Sequence, residues 1–341
     1  MLKGAIIGFG KIVQNGHLPA FYSGEFGNEV EIIAVVEPDT TNRERSQLKY
    51  PFLNFYSSTK ELYKYEKIDF VDLAVPPKYH AELIEEAAEL KLNIICEKPF
   101  TFNAEEASRV KRIIEDKKII FLPCHQYRYS PLWQKFKEVL KSVDDQGFSK
   151  SILQFNVYRT SADPGLDILN NQWRIDFRQS GGGIIADTGI HYLYLSNWLM
   201  GKPLSITAKT ENICHKDYKV EDTALIIAEF EKGISQITLS WGSSGRSNSA
   251  SLISPYSNLY YHGGNSLVQR NNGVESDLLY PVPDVSDKTN YINLYVELYK
   301  NFLSMIKNGN NSSFLNEAYL SVRMMEACYD SASTGKTVTL L

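Results

Sequence analysis

The chain has 341 residues and sets 36 Lys and Arg against 40 Asp and Glu, a formal net charge of −4. At roughly 150 residues per domain this length predicts two domains, 1–123 and 124–341, each able to bury a core. A mildly acidic chain without a long basic run offers no footprint for nucleic acid or an anionic membrane, and no stretch approaches the ~18 apolar residues of a membrane span, so neither is an expected partner.

The first domain alternates short Ile/Val-rich runs with segments of helical period. Runs 3–7, 30–36, 68–75, 93–96 and 119–122 show little polar alternation, as strands buried on both faces of a parallel sheet do. Segments 79–90 and 104–116 read as helices, the second with Asn103 as its cap and Glu105 and Glu106 in its first turn. Strand and helix in alternation predict right-handed crossovers and a doubly wound α/β domain.

After about position 124 the strands become longer and alternate polar with apolar residues, at 152–159, 204–210, 223–230 and 234–241, which suits an antiparallel sheet with one face packed. Helices are predicted at 291–307 and 316–333, the last a candidate to return to the first domain. The stretches 163–171, 242–248 and 256–272 carry no readable code and are expected to be loops. Cys96, Cys124, Cys214 and Cys328 form no C-x-x-C pair, so neither a disulfide framework nor a metal centre is expected, and the N-terminal apolar stretch does not read as a signal peptide. A cytoplasmic protein is the simplest expectation.

Three segments carry chemistry. The first is Ala5-Ile6-Ile7-Gly8-Phe9-Gly10-Lys11-Ile12, a strand feeding a Gly-x-Gly turn that opens a helix, where main-chain N–H groups can meet a pyrophosphate. Val13 stands where the G-x-G-x-x-G pattern has its third glycine, so a plain tight turn stays open. Glu37, closing the run 30–36, suits both ribose hydroxyls of an adenosine and repels a 2′-phosphate, favouring NAD over NADP. Thr40, Thr41, Arg43 and Arg45 keep NADP open.

The second segment, Glu97-Lys98-Pro99, puts a lysine at the carboxyl end of a parallel strand, where open α/β sheets bind ligands, with Pro99 restricting the residue before it. The third runs from Gly181-Gly182-Gly183 to Asp187 and His191. If helical from about 186, it places a carboxylate and an imidazole four residues apart on one face, either as an acid/base pair or as a cap beside a structural histidine. Tyr127, Arg128, Tyr158, Trp173 and Arg174 supply aromatic faces and planar donors that suit a polyhydroxylated ring.

With these motifs in this order the sequence resembles the Gfo/Idh/MocA oxidoreductase family. Val75-Pro76-Pro77-Lys78-Tyr79-His80 is similar to the family's T-P-x-x-x-H loop, and 125–131 to its N-x-R-x-x-P crossover. Trp173-Arg174, Glu221-Asp222-Thr223 and Ser240-Trp241 also fall where the family places such residues. The resemblance implies a Rossmann domain with NAD or NADP bound by Gly8, Phe9, Gly10, Lys11, Ile12, Glu37, Val75, Pro76, His80, Glu97 and Lys98. It implies a second α/β domain on an open, mostly antiparallel sheet whose face makes a homodimer or homotetramer. The activity it implies is dehydrogenation of a sugar or cyclitol, with Lys98 on the substrate hydroxyl, His191 as acid/base and Asp187 as its partner. Two departures stand out: Tyr194 replaces the last acid of D-x-G-x-H-x-x-D, and Val75 replaces the usual threonine. A hydrolase or lyase that retains NAD and oxidises its sugar transiently, and a non-catalytic dinucleotide sensor, are the competing readings.

Overall fold

The computed structural model describes residues 1–147, 150–160, 172–274, 277–284, 288–309 and 312–340; the predicted loop 163–171 lies outside them. The chain divides into two compact units, Met1–Gln126 with Tyr291–Tyr319, and Tyr127–Asn290 with Leu320–Leu341. The helix Tyr291–Asn308 and the first turns of the helix Ser312–Thr334 thus belong with the first 126 residues.

The first unit holds strands β1 (Leu2–Ile7), β2 (Val30–Val36), β3 (Asn54–Tyr56), β4 (Phe70–Leu73), β5 (Asn93–Cys96) and β6 (Phe121–Pro123). They form a sheet of order β3-β2-β1-β4-β5-β6, every neighbouring pair parallel. Their Ile/Val content fits burial on both faces, and all of β4 is buried, Asp72 included. Helix Ala104–Lys117 starts at Asn103, whose side chain accepts the Glu106 N–H at 2.8 Å, and ends at Lys118 in a left-handed conformation, φ +55°. After the Gly-x-Gly turn the chain is helical from Lys11, but through a π-turn, Val13–His17, that leads into Leu18–Phe21. The helix Tyr291–Asn308 packs against this segment.

The second unit is built on β7 (Ser151–Thr160), β8 (Pro203–Glu211), β9 (Thr223–Phe230), β10 (Gly233–Ser243), β11 (Ser247–Ile253), β12 (Ser257–Tyr261), β13 (Ser266–Asn271), β14 (Leu278–Pro281) and β15 (Val338–Thr339). The sheet order is β14-β13-β12-β11-β7-β10-β9-β8-β15, antiparallel except where β7 meets β10. Helices Pro131–Asp145 and Ile190–Met200 cover one face. Trp133 and Tyr192 set their rings 5.4 and 5.1 Å from Phe155, and Ser196 bonds Ser235 at 2.7 Å. On the other face Ile152, Leu225, Ile227 and Ile234 are 42–45% exposed.

Two expected loops are corrected. Strands β11, β12 and β13 occupy most of 247–271, and β10 runs to Ser243. Their Ser- and Asn-rich sequences alternate small polar with buried Ala, Leu and Tyr side chains, and it is pairing to neighbouring strands that makes them extended. Among the described residues no helix is long and apolar enough to cross a membrane.

Candidate functional site

In the first unit the Gly-x-Gly turn is set by sterics. Gly8 has φ +93°, and a Cβ there would lie 2.6 Å from the Ala74 carbonyl oxygen, so only glycine fits. A Cβ on Gly10 would meet nothing within 4 Å, which leaves the main chain open to close approach. Val13 is fully buried: where the third glycine is missing, a side chain fills the core instead.

The Glu37 carboxylate closes this turn, accepting Phe9 N–H at 3.3 Å, Asn42 Nδ2 at 2.7 Å and Asp39 N–H at 2.9 Å. Arg43 gives Nη1 to the Glu37 and Pro38 carbonyls at 2.8 and 3.1 Å, and Arg45 bonds Asn42 Oδ1 at 3.2 Å. Both arginines therefore serve their own loop. The open glycine turn and the fixed carboxylate after β2 fit a dinucleotide's pyrophosphate and ribose.

Val75 and Pro76 follow β4, and His80 braces them from within: buried, it places Nδ1 2.9 Å from the Pro99 carbonyl and Nε2 3.0 Å from the Val75 carbonyl. Burial holds its pKa below the usual value against both bonds. The ring thus ties the loop to the Lys98–Pro99 segment, whose peptide is cis, and its nitrogens are committed to main chain. Lys11 is exposed, Ile12 partly so, and Lys98 is half-buried.

Beneath Lys98 lies a charged cluster that sequence reasoning did not single out. His17 Nδ1 is 2.7 Å from Asp72 Oδ2 and Nε2 is 3.0 Å from Glu97 Oε1, with all three side chains buried. Tyr295 donates its hydroxyl to Glu97 Oε1 at 2.7 Å, Tyr299 to Asp72 Oδ2 at 3.2 Å, and Lys98 N–H to Glu97 Oε2 at 3.2 Å. Burial works against charge on His17, but Asp72 and then Glu97 outweigh it and carry the pKa up to about 10. Burial likewise opposes the Glu97 carboxylate, yet His17 and Lys98 bring it down to about 2. Glu97, His17 and Cys124 bring potential metal-ligand atoms within 4.8 Å of one another, but both His17 nitrogens are committed to carboxylates, so the cluster is an ion-pair network. One sequence signal was present: an aspartate inside an apolar strand must be paired.

In the second unit the triple glycine exists for close packing. A Cβ on Gly182 would lie 1.7 Å from the Tyr329 hydroxyl, and one on Gly183 2.0 Å from the Glu221 carbonyl oxygen. The Glu221 carboxylate accepts N–H from Gly183 at 3.0 Å and from Ile185 at 2.9 Å, plus the Tyr329 hydroxyl at 2.9 Å, and so caps the segment that carries the candidate residues. Burial raises its pKa against those donors.

That segment is not a plain α-helix from 186. A π-turn, Ile185–Gly189, precedes the α-helix Ile190–Met200, where Gly189 lets Leu239 approach; a Cβ there would sit 2.7 Å from Leu239 Cδ1. Such wide turns recur at functional positions. Asp187 accepts Arg174 Nε at 3.2 Å, and the Arg174 guanidinium lies over Trp173 at 4.5 Å. His191 stacks on Tyr127 with ring centroids 4.4 Å apart, and its Nδ1 is 3.1 Å from the Tyr194 hydroxyl. Arg128 sits over Trp198 at 5.2 Å.

The structure therefore gathers Trp173 and Arg174 around Asp187, and Tyr127 and Tyr194 around His191. Tyr158 is not gathered with them: two-residue alternation along β7 puts it with Ile152, Gln154 and Asn156 on the face of the sheet opposite the helix of His191.

Residues 2–125 match the family described as an oxidoreductase family with an NAD-binding Rossmann fold, and 151–254 match the GFO/IDH/MocA C-terminal domain. A D-apiose dehydrogenase of Rhizobium rhizogenes is 27% identical over 236 residues, 69% of this chain and 64% of that protein. A levoglucosan dehydrogenase of Pseudarthrobacter phenanthrenivorans is 27% identical over 181 residues, 52% of this chain and 44% of that one. These matches thus span less than two thirds of the relatives' own lengths.

Among solved structures, an oxidoreductase from Agrobacterium radiobacter in complex with NAD+, L-tartaric acid and magnesium superposes with a TM-score of 0.85 at 20% identity, covering 99% of this chain and 98% of that one. A levoglucosan dehydrogenase in complex with NADH and L-sorbose gives 0.86 at 18%, covering 100% and 99%. The chain belongs to the Gfo/Idh/MocA family of oxidoreductases, and its first unit carries that family's NAD-binding Rossmann fold.

Proposed function

We propose that the protein is an NAD-dependent dehydrogenase acting on a hydroxyl-bearing carbon of a sugar, cyclitol or sugar derivative. The observation that carries this reading is the anchored His191, held by a ring stack and an Nδ1 hydrogen bond four residues after Asp187, which pairs with Arg174, in a chain that also keeps Lys98 just after β5. Bound NAD supplies hydride chemistry, which the protein itself lacks. Gly8, Phe9, Gly10, Lys11, Ile12, Glu37, Val75, Pro76 and Glu97 form its binding surface, with His80 as a brace behind it. His191 takes the proton from the substrate hydroxyl, and the Lys98 ammonium donates a hydrogen bond to the same oxygen and steadies the charge that develops there. Asp187 and Arg174 fix each other, and with Trp173, Tyr127 and Arg128 they offer the substrate donors and ring faces.

The relatives that act on D-apiose and levoglucosan support a carbohydrate substrate. The Glu37 carboxylate and the two arginines engaged by their own loop favour NAD over NADP. Four unpaired cysteines, three of them buried, suit a reducing cytoplasm. The exposed Ile152, Leu225, Ile227 and Ile234 face suits a dimer or tetramer of identical chains.

The test is the near-ultraviolet absorbance of reduced nicotinamide, with NAD and then NADP, across aldoses, cyclitols, sugar phosphates and nucleotide sugars. A substrate-dependent rise is expected with NAD. It should vanish in Lys98→Met, which keeps NAD binding, and fall by about 10²–10⁴ in His191→Asn. Unchanged turnover in Lys98→Met removes that residue's role. NAD retained through purification with no net reduction would point to a hydrolase or lyase that oxidises transiently, and binding without chemistry to a sensor.

A further inference from the structure

The family pattern D-x-G-x-H-x-x-D ends here in Tyr194, one helical turn after His191. The phenol is buried, and its oxygen accepts the main-chain N–H of Tyr127 at 3.1 Å while lying 3.1 Å from His191 Nδ1. The Tyr127 ring in turn lies nearly parallel to the imidazole, with 4.4 Å between centroids and 19° between planes. Tyrosine 127 therefore touches His191 twice, by its ring directly and by its backbone through the Tyr194 hydroxyl.

We propose that Tyr194 is a positioning residue for His191, its oxygen accepting Nδ1–H so that Nε2 is the ring atom that exchanges protons with the substrate. The proposal rests on the reading of His191 as the acid/base. In that reading the substrate O–H bond breaks as an N–H bond forms at Nε2, giving an imidazolium that releases the proton to solvent once the carbonyl product has left, and in the reverse direction an imidazolium gives a proton to the carbonyl oxygen. A phenol oxygen accepts from Nδ1–H in both states, so the anchor is unchanged through the cycle and no side chain reorients at the moment of transfer. A carboxylate at this position would add a full negative charge beside the imidazole; the phenol supplies the same direction without that charge. The ring stack fixes the plane of the imidazole, the hydrogen bond fixes its rotation, and together they set where Nε2 points.

Nitrogen-15 spectra of the histidine-labelled wild-type protein test the assignment directly, with the His191 signal among six histidines identified by its loss in His191→Gln. The expected neutral form carries its proton on Nδ1; a neutral form protonated on Nε2 overturns the proposal and needs no Tyr194 variant. Tyr194→Phe, which keeps the ring and its packing, should mix the two tautomers and lower kcat by about 10- to 100-fold, with KM and NAD affinity within about twofold. Tyr194→Gln, which restores an oxygen acceptor, should recover part of that loss. An unchanged kcat in Tyr194→Phe, or a loss of NAD affinity and melting temperature in parallel with kcat, also overturns it. Full turnover in His191→Gln would instead sink the acid/base reading, so the two failures are distinguishable.

Discussion

Charge inside the first unit is decided by a single imidazole. His17 holds Asp72 and Glu97 together, and removing the ring would leave two buried carboxylates without the cation that bridges them. Breaking a buried pair in this way costs about 3–5 kcal/mol. The His17 pKa rises from 6.5 to about 10, so its stabilising contribution is complete below about 6.5 and is lost as pH climbs through about 10. Glu97 falls from 4.5 to about 2, so its share is complete above about 4.5 and is lost as pH drops through about 2. The network is therefore strongest between about pH 4.5 and 6.5. We expect His17→Leu to lower the unfolding free energy by about 3–5 kcal/mol at pH 6, and by less at pH 10; urea titrations at the two pH values measure both. A penalty equal at the two would count against a protonated ring. At this scale the sequence spoke unevenly. Glycine turn, Glu37 and Lys98 announce themselves by residue type at strand ends and His191 by its motif, whereas His17 sits in a helical segment where spacing reveals no partner, because Asp72 and Glu97 come from a strand and a strand end far along the chain.

Among elements, alternation in the sequence was the dependable signal. Period-two patterns located β7, β8, β9 and β10 to within two residues, because one face of each packs on helices while the other does not. The same alternation left Ile152, Leu225, Ile227 and Ile234 uncovered, and apolar side chains on a broad sheet face favour association. If that face joins identical chains, Leu225→Lys with Ile227→Lys should convert the assembly to monomers with an unchanged circular dichroism spectrum, as sedimentation velocity reads. A monomeric parent protein would remove the interface. The π-turns at Val13–His17 and Ile185–Gly189 were beyond reach from sequence, since they depend on what packs alongside: the helix Tyr291–Asn308 in the first, Leu239 against Gly189 in the second.

Over the whole molecule, the order of the chain and the order of the cores differ. A change of strand texture near 124 is visible in the sequence, but an amphipathic helix does not name the core it joins: the expectation of a returning helix fell on 316–333, whereas the first unit takes Tyr291–Tyr319 and the second Leu320–Leu341. That return supplies the Tyr295 and Tyr299 hydroxyls to Glu97 and Asp72. A fragment of residues 1–126 should therefore lack a cooperative thermal transition and bind a hydrophobic dye, while the full chain melts cooperatively and does not. A sharp melt in the fragment would show that the late helix is dispensable to that core.

The same arrangement has a consequence in time. On the ribosome, Asp72 and Glu97 emerge 227 and 198 residues before Tyr299 and Tyr295, the helix residues that bond them. At ~5–20 residues per second that is an interval of roughly 10–45 s. For that interval the nascent parallel sheet lacks two hydroxyl partners and its covering helix, with apolar strands open to other chains. The stretch of synthesis from 127 to 290 is thus the period in which this protein depends most on a chaperone, and slower elongation there would lengthen the exposure.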